Sequence, residues 1–247
     1  MRSSDSTASR RRAEPASATR LARLRAPLAL GAFAALQALS ARAAGDAAPP
    51  AGVPRVDARR LPAPGSYTLP RLQACPDGEV LQSDGRSARL HALLRGRLSL
   101  VGFVYTYCRD PVGCPLALRV MNETREALLR DAALAARSQL VSLSFDPLND
   151  TPLQMRLYGD ALARDTRLRW QFLTTASVPR LMPLLTGLGQ DVTVEIDARG
   201  RPTRTLNHML KLFLVDARLA VREIYSVPTL DVAVLLNDLR TLAAERA

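Results

Sequence analysis

The stretch Leu98-Ser-Leu-Val-Gly-Phe-Val-Tyr-Thr-Tyr-Cys108-Arg-Asp-Pro-Val-Gly-Cys114-Pro115 decides how this chain folds. Its first seven residues form an apolar run with few polar breaks, the pattern of a strand covered on both faces. Pro115 opens a different segment, because its fixed φ and missing N–H suit the first turn of a helix. Leu116, Leu118, Val120, Met121, Leu128 and Leu129 give that helix an apolar face to about Arg130. Cys108 and Cys114 lie between, so a core strand delivers two thiols to a helix start. Helix-end amides favour the thiolate there, and a thiolate exchanges disulfides or binds a soft metal. Both chemistries are open on this observation.

Working outward, Gln139–Phe145 reads as the next strand and stops at Asp146-Pro147. Asp150-Thr151-Pro152 reads as a helix cap with Pro just inside the start, leading a helix to about Arg164. Trp170–Leu173 is a third short strand, and Ser177–Leu188 a helix that Pro183 is expected to kink or split. Asp191–Ile196 alternates as a half-exposed strand. Lys211–Val215 and Leu219–Ile224 flank the turn Asp216-Ala-Arg218 as a hairpin, and Thr229–Leu242 closes the chain as an amphipathic helix. Strands alternating with helices predict an α/β fold, a three-layer domain with a mixed central sheet and a late β-hairpin. With thiols after the first core strand, its expected form is thioredoxin-like.

Charge points away from nucleic acid. Of the formal net charge of +11, residues 1–43 contribute +6 through eight arginines against Asp5 and Glu14, which leaves +5 for the rest. Lys211 is the sole lysine, and no basic stripe with interleaved aromatics is present. The arginines instead precede an apolar span of 16 residues, Ala26–Ala41, and the small-x-small triplet Ala41-Arg42-Ala43. That order is the one of a secretory signal, with an uncleaved membrane anchor at residues 26–41 as the competing reading. In either reading residues 1–43 export the body of the protein, which is expected to be periplasmic. Residues 44–65, rich in Pro, Ala and Gly, form an extended linker, and residues 66–247 the folded domain.

Three cysteines remain after export: Cys75, Cys108 and Cys114. An odd number does not build a disulfide framework. Cys108 and Cys114 stand six positions apart with Pro111 and Gly113 between them, which favours a bent loop over a helical turn. Such a loop brings the sulfurs within reach of a disulfide or a shared ion. His208 directly precedes an apolar strand and is expected in the loop entering it. Two thiols and an imidazole form a donor set that suits copper as Cu(I) or Cu(II), whereas zinc usually takes a fourth ligand. Asp146 leaves the C-terminal end of the second core strand, where it could hydrogen-bond behind the ligands. Asp150 reads as a helix cap and Cys75, in Cys75-Pro-Asp-Gly78, as an incidental exposed thiol. Met209 is a candidate accessory ligand beside His208, and His91 is assigned to a surface helical turn without a role.

Taken in order, these pieces resemble the SCO/SenC family of copper-binding assembly factors for cytochrome c oxidase. The resemblance runs from about Tyr67 to Leu242. It rests on Asp84-Gly85, Leu90–Gly96, Phe103–Cys108, Cys114-Pro115, Asp146-Pro-x-x-Asp150-Thr-Pro, Trp170-x-Phe-Leu-Thr174 and His208 ahead of Phe213-Leu-Val-Asp216. It implies a thioredoxin-like domain, often membrane-tethered, that binds copper through Cys108, Cys114 and His208. The implied partner is the cytochrome c oxidase subunit carrying the binuclear copper site, or another periplasmic copper or thiol protein. The resemblance favours a metallochaperone over an enzyme. A thiol–disulfide oxidoreductase using Cys108 and Cys114 without metal, or an adaptor without metal, are the alternatives. One departure stands out: five residues separate the cysteines where the family pattern has three, and Arg109 replaces the usual Pro after the first.

Overall fold

A computed structural model of the chain describes residues 56–245. The expected signal or anchor, most of the linker and the last two residues lie outside the described residues. Among those described, no helix is long and apolar enough to cross a membrane.

The centre of the fold is β4 (Leu98–Val104), whose seven residues are all buried, beside β5 (Ser138–Ser144), buried along its whole length too. Burial on every residue of both strands means both sheet faces are covered, as a three-layer α/β domain requires. β4 and β5 run parallel in register Leu98↔Ser138 to Val104↔Ser144, and β6 (Arg169–Thr174) extends the parallel set beyond β5. On the other side of β4, β9 (Lys211–Val215) and β10 (Ala220–Ser226) form the predicted antiparallel hairpin. Short edge strands complete the sheet: β1 (Gln73–Ala74) beside β10, and the β2 (Glu79–Gln82) and β3 (Ser87–Arg89) hairpin beside β6. The order is β1-β10-β9-β4-β5-β6-β2-β3, a mixed sheet.

The helices are α1 (Leu90–Leu94), α2 (Cys114–Leu128), α3 (Ala132–Arg137), α4 (Pro152–Ala163), α5 (Val178–Leu188) and α6 (Val232–Ala244). α2, α3 and α6 pack together, with α2 and α6 against β4, while α4 lies on β6. Gly159 permits that last contact, since a Cβ there would stand 2.2 Å from the Phe172 ring.

Three expectations change. Pro183 does not split α5, which runs uninterrupted past it. The cap of α4 is Thr151, whose hydroxyl accepts from Gln154 N–H, and not Asp150, which is buried elsewhere. The strand read at Asp191–Ile196, observed as β7 (Val192–Ile196), does not join the main sheet. It pairs with β8 (Pro202–His208) in a separate two-stranded sheet, Val192 opposite His208. His208 therefore ends a strand instead of lying in a loop. The alternation in Thr203-Arg-Thr205-Leu was masked by Pro202 and two arginines, while Gly200, at φ +74°, supplies the reversal between the strands.

Candidate metal centre

The segment leaving β4 turns sharply toward α2. The Cys108 N–H donates to the Tyr105 carbonyl (3.1 Å), and the Gly113 N–H donates to the Asp110 carbonyl (3.0 Å). The Asp110 carboxylate also accepts from the Val112 N–H (3.0 Å), closing Asp110-Pro-Val-Gly113 as a turn. This turn takes up the interval between the cysteines. Gly113 caps α2, and a Cβ on it would lie 3.3 Å from Cys108 Sγ, so the loop folds Cys108 back onto the helix start. Cys114 is the first residue of α2, close enough to Cys108 for that thiol to raise its pKa. All three cysteines are free.

His208 reaches the same place from β8. Its Nδ1–H donates to the Leu206 carbonyl (2.9 Å), which fixes the tautomer because a carbonyl only accepts. Nε2 keeps its lone pair and faces Cys114 Sγ at 3.9 Å. Phe145, just past β5, lies against the imidazole with centroids 4.5 Å apart, and Tyr105 meets it edge-on at 6.0 Å. The Tyr105 hydroxyl accepts from the Leu206 N–H (3.4 Å), so one aromatic residue beside the thiols also steadies the hairpin that carries the histidine.

Burial sets the electrostatics. Cys114 is only 2% exposed. Desolvation lifts its thiol well above the ordinary range, against a smaller downward pull from the Tyr105 backbone amide, and Cys108 adds to the rise. The expected thiolate-favouring effect of the helix start is outweighed here, because a single helix end contributes less than the loss of hydration. The Tyr105 phenol is likewise pushed up to about 12, mainly by burial. Cys108 is half-buried and opens onto a cleft of about 270 Å³ that Tyr107, Arg109, Asp110, Asn207 and His208 also line. The guanidinium groups of Arg109 and Arg204 lie 5.3 and 4.3 Å from the Tyr107 ring centroid, which makes the rim cationic.

Cys108, Cys114 and His208 thus form a chain of neighbours, Cys108 to Cys114 and Cys114 to His208. Among the described residues no three His, Cys, Asp or Glu side chains already converge as a closed metal cage. The donors nevertheless suit a soft ion: two thiols, and an imidazole whose second nitrogen is held by a backbone carbonyl. The Asp146 carboxylate accepts two hydrogen bonds from Asn149 Nδ2 (3.0 and 2.8 Å) within its own turn, and none from the three donors. Met209 is 63% exposed and does not line the cleft.

Two further residues were missed or misplaced in sequence. Asp150, 1% exposed, accepts from Ser144 Oγ (2.6 Å), Thr106 Oγ1 (2.5 Å) and the Thr106 N–H (3.1 Å). It ties the end of β5 to the segment that leads to Cys108. Cys75 is not an exposed thiol but 3% exposed, and burial, with Asp77 nearby, pushes it up to about 12. The Cys75 carbonyl lies 2.8 Å from His91 Nε2, so His91 braces this turn. A thiol so far above its ordinary value is protonated and shielded at pH 8. Iodoacetamide at pH 8 should therefore modify Cys108 first in the native protein, leaving Cys75 and Cys114 until the chain is unfolded. Peptide mapping that finds Cys75 alkylated as fast as Cys108 would contradict this burial.

A protein-family model described as SCO1/SenC matches residues 79–244. No match was found among curated proteins. Solved structures agree with the fold. Arabidopsis thaliana ScoI with copper bound is 17% identical over 69% of this chain and 98% of its own, with a TM-score of 0.57. Bradyrhizobium japonicum ScoI with copper bound is 21% identical over 66% and 97%, with a TM-score of 0.52. A SCO1/SenC family lipoprotein from Bacillus anthracis is 20% identical over 72% and 99%, with a TM-score of 0.58.

Proposed function

This chain belongs to the SCO1/SenC family, and from that premise we propose that it is an exported copper chaperone using Cys108, Cys114 and His208. The observation that carries the reading is the approach of His208 Nε2 to Cys114 Sγ at 3.9 Å, with Nδ1 engaged by the Leu206 carbonyl. An imidazole held in that tautomer presents a lone pair toward the thiols. The copper-bound ScoI proteins of Arabidopsis and Bradyrhizobium support the same cargo. Copper is the substrate here. Cys114 and His208 hold the inner side, and Cys108 stands at the cleft mouth where an acceptor's thiolate can reach. Handover is ligand exchange: an acceptor thiolate displaces Cys108 sulfur first, and further acceptor donors then displace Cys114 sulfur and His208 Nε2. Every bond broken to this chain is replaced by one to the acceptor, with no change of oxidation state. The proposed acceptor is the binuclear copper site of cytochrome c oxidase, and the proposed compartment is the periplasm, reached through residues 1–43.

Anaerobic Cu(I) titration tests the reading. One copper per chain is expected in the wild type and none in the Cys108→Ser/Cys114→Ser double variant. Copper retained by the double variant would sink it. The folding of Cys108 back onto the start of the helix that Cys114 opens also favours a second reading, a thiol–disulfide oxidoreductase. A disulfide that cycles with dithiol reagents in a protein that takes up no copper would establish that alternative. His208→Ala should weaken Cu(II) binding about a hundredfold and Cu(I) binding much less, because imidazole is the harder donor of the set. Competition with chelators of each ion measures both, and equal retention of the two ions would remove His208 from the site.

A further inference from the structure

Beyond the cleft, a second and larger depression of about 490 Å³ runs between α5 and β7. Leu148, Val178, Met182, Leu185, Val192 and Val194 line it. Several of these are unusually exposed for their type: Leu148 77%, Met182 48%, Val194 47% and Val178 39%. Clustered apolar exposure of this kind marks an interaction surface more than scattered single residues do.

Three further features say what would occupy it. Among the described residues β7 pairs only with β8, so its other edge carries backbone amides and carbonyls without ladder partners there, a template for an added strand. Gln190 lines the groove and is 3% exposed. Its Nε2 donates to the Met209 carbonyl (3.0 Å), yet its Oε1 has no partner, leaving a buried acceptor in need of an N–H. The charged groups on the groove wall are Asp146 and Asp191, both acidic, and Glu195 stands further along β7. Self-pairing of two copies through β7 would bring these carboxylates together, so charge selects a basic partner over a second copy.

We propose that this groove docks an extended segment of a partner protein, apolar on one face and carrying Lys or Arg, which adds as a third strand to β7. The groove adjoins the candidate metal centre: Phe145 lines it and lies tilted against His208 with centroids 4.5 Å apart, and Leu206 lines both depressions. A partner held there would lie one aromatic ring from the imidazole. The docking itself does not depend on copper.

The test is titration of the ¹⁵N-labelled metal-free protein with a blocked synthetic hexapeptide of alternating Val and Lys, followed by amide shifts and hydrogen exchange. Saturable shifts at residues 192–194 with slowed exchange of β7 amides are expected. Met182→Lys, at an exposed wall position, removes apolar contact and repels a basic peptide, and should weaken binding about tenfold. The same peptide N-methylated on alternate residues should not bind. Binding that survives N-methylation, no peptide binding up to millimolar concentration, uptake of an apolar dye in place of peptide, or a dimer forming through β7 by light scattering would each overturn the proposal.

Discussion

Replacing Cys114 by Ser should lower Cu(I) affinity at least about a thousandfold, roughly 4 kcal/mol, while Cys108→Ser lowers it by a smaller factor. The asymmetry follows from where the two sulfurs sit. Cys114 is buried at the start of α2 and is the thiol that faces His208 Nε2 at 3.9 Å. Without it, Cys108 is left at the cleft mouth with no observed contact to the imidazole. Without Cys108, the Cys114–His208 pair survives intact. Ser matches Cys in shape but offers a hard hydroxyl that a soft ion does not prefer. Competition against a chromophoric Cu(I) chelator reads both variants. Near-equal losses would show that the two thiols are equivalent ligands, and a larger loss for Cys108→Ser would reverse the assigned roles.

The second large effect concerns stability. Asp150→Ala should cost about 2–4 kcal/mol, because it strips partners from the Ser144 and Thr106 hydroxyls and the Thr106 amide in a buried place. For a domain of this size that is a fall in Tm of about 10 °C. A loss under about 2 °C in calorimetry would show that water or a shift of the loop replaces the carboxylate. The acid has a pH signature as well. Burial raises the Asp150 pKa despite its hydrogen bonds. The folded state therefore holds this proton more tightly than the unfolded chain, so the contribution is fully present below the unfolded value of about 3.9 and is lost as pH rises through the folded one. The stability gap between wild type and Asp150→Asn should be widest near about pH 3 and narrow on the way to neutrality.

Much of this was legible in the residues. Leu98–Val104 matched its strand without error, because an apolar run between a Gly turn and a Pro-initiated helix has few alternatives. The hairpin around Asp216 was equally plain. The separate β7–β8 sheet was not, since arginines and a proline broke the alternation of a strand that never enters the core. Asp150 was read as a cap because Asp before Thr-Pro fits a helix start, and only packing revealed that Thr151 takes that role. Cys75 looked exposed because Cys-Pro-Asp-Gly signals a turn, and turns usually face water. The approach of Cys108 to Cys114 across five residues depended on the Asp110–Gly113 turn, whose closure is a matter of backbone geometry that spacing alone does not supply.

The central claim is that Cys108, Cys114 and His208 form one copper site. X-ray absorption at the copper edge of the protein loaded with one equivalent tests it most directly. The expected spectrum shows two sulfur neighbours and one imidazole nitrogen, with the imidazole scattering lost in His208→Ala and a sulfur lost in either single Cys→Ser variant. A shell of nitrogen and oxygen alone, or a spectrum unchanged by all three substitutions, would contradict the account.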